Sequence, residues 1–125
     1  MKYDSKFEKE AHDIMQGCEY HPDKPLFYLV PKRYEPDFVY KHRTKTIYIE
    51  AKGRFRTSEE ARKYVIIAET LSPKEELVFL FQRPSTPMPG SRRRKDGTRY
   101  TMEEWAEKHG FRWYTLDTIP TGWRR

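Results

Sequence analysis

The sequence predicts an α/β domain in which a mixed β-sheet is flanked by helices. Three observations point there. Apolar residues alternate between helical and strand spacing in the order helix, strand, hairpin, helix, strand, helix. "ELVFLF" (Glu76–Phe81) is nearly continuously apolar, the pattern of a strand covered on both faces. A chain of 125 residues with 36% hydrophobic and 15% aromatic content suits one small domain and is too aromatic for a disordered chain.

The first helix is predicted from Ser5 to Gly17. Tyr3, Phe7, Ala11, Ile14, Met15 and Cys18 recur at three- and four-residue steps and form one stripe, with Asp4 or Ser5 as cap and Gly17 as stop. "HPDKP" is a turn, followed by a predicted short strand "LFYLV" (Leu26–Val30). Pro31 and Pro36 bracket a stiff connector, because proline donates no ladder hydrogen bond. "DFVY" (Asp37–Tyr40) and "TIYIEAK" (Thr46–Lys52) read as a hairpin joined by "KHRTK". In its second strand Ile47, Ile49 and Ala51 share one face, and Tyr48, Glu50 and Lys52 the other. Thr57 with Glu60 has capping-box spacing and opens a second helix whose buried stripe is Ala61, Tyr64, Val65, Ala68 and Leu71; Pro73 forbids its continuation. After "ELVFLF" comes a long Pro-, Gly- and Arg-rich loop. Thr101 with Glu104 caps a third helix through His109, Gly110 ends it, "RWYTL" is a last short strand, and "IPTGW" a closing turn.

The charge narrows the function classes. With 25 Lys and Arg against 19 Asp and Glu, the net charge of +6 favours a polyanionic partner, nucleic acid before an anionic membrane. The longest apolar stretches, such as Val78–Phe81 and Tyr64–Ala68, are too short to span a bilayer, so no membrane attachment is expected. The single cysteine, Cys18, excludes an intrachain disulfide and fits a reducing, cytoplasmic compartment. It makes no zinc site with His21, for lack of further ligands nearby, and His12, His21, His42 and His109 are scattered among unrelated elements.

Ionised groups inside the hairpin need a reason. Glu50 and Lys52 leave the same face of an extended segment, and Asp37 opens the partner strand. Two adjacent carboxylates repel unless a cation intervenes. Mg²⁺ is the natural cation, with Mn²⁺ as a substitute, because it takes hard oxygen ligands and often needs only one or two carboxylates beside phosphate and water. The Ala51 carbonyl adds a further oxygen, and Lys52 is placed to orient or activate water or to neutralise charge in a transition state. The other reading of the same residues is a turn aspartate and an edge ion pair facing solvent.

Pro36-Asp37 followed by Glu50-Ala51-Lys52-Gly53 resembles the PD-(D/E)xK nuclease superfamily. More narrowly, the chain is similar to the phage endonuclease I family of Holliday-junction resolvases. "SKFE" is similar to the opening helix of that family, "YEPDF" and "IYIEAKG" to its catalytic motifs, and "EEWAEKHGFRW" and "IPTGW" to its C-terminal helix and closing segment. The resemblance implies a restriction-endonuclease-like core and an intertwined, domain-swapped homodimer. Residues 1–125 would then form a single nuclease domain, with 1–30 as the exchanged helix and strand, 31–36 as the bridge and 37–125 as the catalytic core. It implies Glu8, Asp37, Glu50 and Lys52 as catalytic residues, Glu8 joining the metal ligands. It also implies four-way and other branched DNA as substrate, and action in the cytoplasm of a phage host. Pro31–Pro36 is shorter than the linker usual in the family.

Candidate DNA contacts follow from charge and position. Arg54 and Arg56 directly follow the site and precede a helix N-terminus, which attracts anions. "SRRRK", with Arg92, Arg93, Arg94 and Lys95, is either a phosphate-contacting arm or a solvated loop, and Lys41, Arg43 and Lys45 lie about the hairpin turn. Such contacts position DNA without reading bases. The competing functions are a monomeric nickase or repair nuclease of the same superfamily, and a non-catalytic basic DNA-binding protein.

Overall fold

The computed structural model describes residues 5–124, and the chain divides into two compact units with the boundary between Lys32 and Arg33. Tyr3 and Asp4, assigned above to the first stripe and its cap, lie outside the described residues.

In the first unit, helix α1 spans Lys6–Ile14, shorter at its end than predicted. Ser5 caps it by accepting the Glu8 N–H, and the Gln16 side chain donates to the carbonyls of His12 and Asp13. Those donors satisfy carbonyls that a further turn would have used, so the helix stops before Gly17. No residue of α1 is buried, and Phe7, Ile14 and Met15 of the apolar stripe are exposed. The predicted strand at Leu26–Val30 does not form, and its side chains stand in solvent, Leu29 at 98% and Leu26 at 95% exposure. Strand conformation is sustained by a ladder partner, and none among the described residues pairs with this segment.

The second unit holds a four-stranded mixed sheet in the order β1-β2-β3-β4. Strand β1 (Phe38–His42) and β2 (Lys45–Lys52) are antiparallel, with Phe38 opposite Ile49 and His42 opposite Lys45. The strands therefore run further into "KHRTK" than predicted, leaving a two-residue turn in which Arg43 takes a positive φ of 56°. Helix α2 (Ser58–Glu69) crosses over to β3 (Glu75–Phe81), which lies parallel to β2 with Glu50 beside Phe79. Helix α3 (Met102–Lys108) leads into β4 (Trp113–Tyr114), parallel to β3, and "TGW" forms a short 3₁₀ turn.

Both predicted strand faces find cover. On one, Leu77, Phe79 and Phe81 pack with Phe55, Ala61 and Tyr64 from the α2 side and with Met102, Trp105 and Ala106 from α3. Phe79 is fully buried among five aromatic rings whose centroids lie 5.1–5.8 Å away. On the other, Ile49 and Val78 are buried, and Trp123 of the closing segment reaches Tyr114 at 5.1 Å and Tyr40 at 6.4 Å between ring centroids.

The loop before α3 is more ordered than its composition suggests. Pro87 bridges Thr101, Met88 N–H donates to the Tyr100 carbonyl, and Arg94 N–H to the Thr98 carbonyl. Gly97, at φ 86°, supplies the left-handed residue of the tip. The Arg94 guanidinium closes this arm onto α3 through two 2.9 Å bonds to Glu104, itself part of a complete capping box with Thr101. The Arg94 pairing, with help from Thr101, holds the Glu104 carboxyl down to about 2. A carboxylate with a depressed native pKa adds stability above its unfolded value near 4.5 and loses it as pH falls towards 2. Melting temperature should therefore fall between pH 4.5 and 2, and Arg94→Ala should shrink the difference between pH 7 and pH 3. An unchanged difference in thermal scans of the variant would contradict this.

Candidate active site

Among the described residues Glu50 is the buried charged one, with 6% exposure on a strand position that faces α2. Its carboxylate is met from three directions. Tyr34 Oη donates to Oε1 at 2.7 Å, Tyr64 Oη donates to Oε2 at 3.1 Å, and Lys52 Nζ lies 3.6 Å from Oε2. A buried carboxylate is tolerable only when paired and hydrogen-bonded in this way. Burial first, and the bond to Glu50 second, push the Tyr34 phenol far above its ordinary range, so Tyr34 remains a donor.

Asp37 stands one residue ahead of β1, whose first residue, Phe38, pairs with Ile49, and its charge, like that of Glu50, helps raise the Tyr34 phenol. The Asp37 side chain is exposed; its Oδ2 accepts the Ala51 N–H at 2.9 Å, and Oδ1 has no hydrogen bond among the described residues. Pro36 helps here by restricting Glu35 to extended backbone ahead of the strand.

Lys52 projects from the same face of β2 and bonds Glu60 Oε2 at 3.1 Å while its ammonium lies 5.2 Å from the Tyr64 ring centre. Burial alone would lower its pKa, but the contacts with Tyr64 and Glu60 outweigh that and hold it above the ordinary lysine range. The amine is thus an ammonium at neutral pH. Of the roles open to it, orienting water and neutralising developing charge fit this state, and proton abstraction does not.

Glu60, Tyr34 and Tyr64 were not read as site residues from the sequence. Glu60 has cap spacing to Thr57, and the Thr57 hydroxyl does accept its N–H. Its own carboxylate, however, takes the Arg56 N–H at 2.7 Å and the Lys52 ammonium. Burial opposes its ionisation, yet these two donors still lower its pKa. Tyr64 reads as core from the stripe and is core by its ring; only the fold shows where its hydroxyl ends. We expect Tyr64→Phe to leave the chain folded, to loosen Glu50, and to reduce any Glu50-dependent activity about tenfold, since a hydrogen bond to a carboxylate is worth ~1.5 kcal/mol. Unchanged activity would remove Tyr64 from the site.

Glu8, in the first unit, accepts a hydrogen bond from Tyr20 and lies 3.9 Å from His21. Arg54 and Arg56 are exposed between Lys52 and α2. Arg92, Arg93 and Lys95 are exposed along the arm, whereas Arg94 is engaged with Glu104, Thr98 and the Arg99 carbonyl. Lys41 and Arg43 are exposed at the hairpin end, and Lys45 pairs with Glu76 at 3.3 Å. Among the described residues no three His, Cys, Asp or Glu side chains converge to hold a metal ion. Of the candidate ligands in the second unit, exposed Asp37 and buried Glu50 carry carboxylates and Ala51 a carbonyl. That hard-oxygen set matches what Mg²⁺ requires when phosphate and water complete its shell. No protein-family model matches the chain, and no curated protein matches it significantly.

Proposed function

We propose that the chain is a Mg²⁺-dependent, structure-selective DNA endonuclease of the PD-(D/E)xK type, resembling the phage endonuclease I resolvases, that nicks four-way and other branched junctions. The observation that carries this reading is that Asp37, at the head of β1, accepts the Ala51 N–H next to Glu50 in the chain, while the Lys52 ammonium lies 3.6 Å from the Glu50 carboxylate. Asp37, Glu50 and the Ala51 carbonyl would hold the cation, which when bound supplies Lewis-acid stabilisation of charge on a phosphodiester. Tyr34 and Tyr64 orient the Glu50 carboxylate, Glu60 fixes Lys52, and Lys52 offers its positive charge to the reacting phosphate.

Charge and exposure support the partner class. Exposed Arg54 and Arg56 follow Lys52 in the chain, and a net charge of +6 favours a polyanion. The exposed Leu26–Val30 segment supports a homodimer in which residues 1–30 are exchanged, Pro31–Pro36 bridges the subunits, and Glu8 adds a ligand. Two cuts in a two-fold symmetric junction call for a two-fold symmetric enzyme. No helix among the described residues is long and apolar enough to cross a membrane.

The test is incubation of the purified chain with a labelled four-way junction, with and without Mg²⁺ or Mn²⁺, beside a linear duplex. Cleavage confined to the junction and requiring the metal is expected. Binding without cleavage under every metal condition would instead support a non-catalytic DNA-binding protein.

A further inference from the structure

A cleft of about 720 Å³ opens between α2, α3 and the arm that precedes α3. Its size is that of a small-molecule site, roughly 300–1,000 Å³. It contains none of Asp37, Glu50 or Lys52. One wall is apolar, from Val65, Met88 and Trp105. Ser91 and Tyr100 line the arm side, and their hydroxyl oxygens are buried and without a hydrogen-bond partner among the described residues. Buried hydroxyls of this kind are rare, because each loses its water and gains nothing until another group meets it. Arg62 and Arg92 line the same cleft together with Glu69, both arginines exposed and without an ion pair among the described residues.

We propose that this cleft binds a nucleotide, its base against Val65, Met88 and Trp105, its polar edge at Ser91 and Tyr100, and its phosphate at Arg62 and Arg92. An aliphatic ligand would leave the two hydroxyls unpaired, and an inorganic anion would leave the apolar wall bare. A planar heterocycle carrying both ring heteroatoms and a phosphate answers all three features at once. Two sources share this chemistry, a free mononucleotide and a nucleotide of a bound DNA strand.

The test uses the full chain, ¹⁵N-labelled and free of metal, titrated by NMR with deoxyadenosine monophosphate and, separately, with inorganic phosphate. The expected result is saturable shifts at Val65, Ser91, Tyr100 and Trp105, with the nucleotide at least tenfold tighter than phosphate. Tyr100→Phe with Ser91→Ala should weaken the nucleotide about fivefold or more, as should Arg62→Ala, while Glu50→Gln should leave it unchanged. Nucleotide binding no tighter than phosphate, or indifferent to those cleft variants, overturns the proposal. A junction carrying 2-aminopurine at the branch distinguishes the sources. A fluorescence change on binding that Tyr100→Phe with Ser91→Ala abolishes means that the strand supplies the nucleotide; no change, with mononucleotide binding intact, means the free molecule. The cleft does not depend on the nuclease reading. A chain that binds the nucleotide yet cuts no junction keeps the cleft and loses the nuclease, and the converse keeps the nuclease and loses the cleft.

Discussion

Glu50→Gln should abolish junction cleavage, with a loss of about 10³-fold or more, while junction affinity changes little. The substitution keeps the volume and one oxygen for Tyr34 or Tyr64, so the buried position stays filled and hydrogen-bonded. What it removes is the negative charge that would anchor a divalent cation and balance Lys52. A 10³-fold loss corresponds to about 4 kcal/mol of transition-state stabilisation, the scale of a lost charge interaction in a water-poor site. On the proposed reading, affinity for DNA would rest on exposed arginines and lysines and so should persist, and fall with salt, whether or not the site is intact. Lys52→Ala should behave alike but also release Glu60, so its circular dichroism and melting curve must accompany the assay. Normal cutting by either variant removes the site assignment.

Phe79→Ala should cost the fold about 3–5 kcal/mol, the largest loss we expect from a single substitution. Phe79 has no exposed surface and sits where rings from β3, α2, α3 and the segments beside them meet. Truncation leaves a cavity that neighbours anchored on different elements cannot collapse to fill. Small domains have about 5–15 kcal/mol in total, so the variant approaches the folding threshold. Urea unfolding at pH 7 measures it, and Phe79→Leu, which keeps most of the volume, should lose less than half as much. A loss for Phe79→Ala within about 1 kcal/mol would mean that this cluster is not the core.

Sequence periodicity located the second unit well. The alternation in Thr46–Lys52, the apolar run ending at Phe81, and the Thr57 and Thr101 caps all depend on neighbours within a few residues, and each reappears in β2, β3, α2 and α3. The two-residue offset of Glu50 and Lys52 likewise follows from strand geometry alone. The first unit departs from its local pattern for a physical reason. "LFYLV" has strand composition, but a strand exists only with a ladder partner, and composition does not supply one. The α1 stripe has helical spacing, yet spacing says nothing of what would cover Phe7 and Ile14.

The chain by itself determined where helices and core strands form, and that Glu50 and Lys52 share a face, because these are short-range consequences of backbone geometry. Only the tertiary structure decided that Tyr34, Tyr64 and Glu60 close around them, and that Arg94 ties its arm to α3 while Arg92 stays exposed. Those contacts join residues from 8 to 16 positions apart and depend on how α2, α3 and the strands pack, which no local pattern encodes.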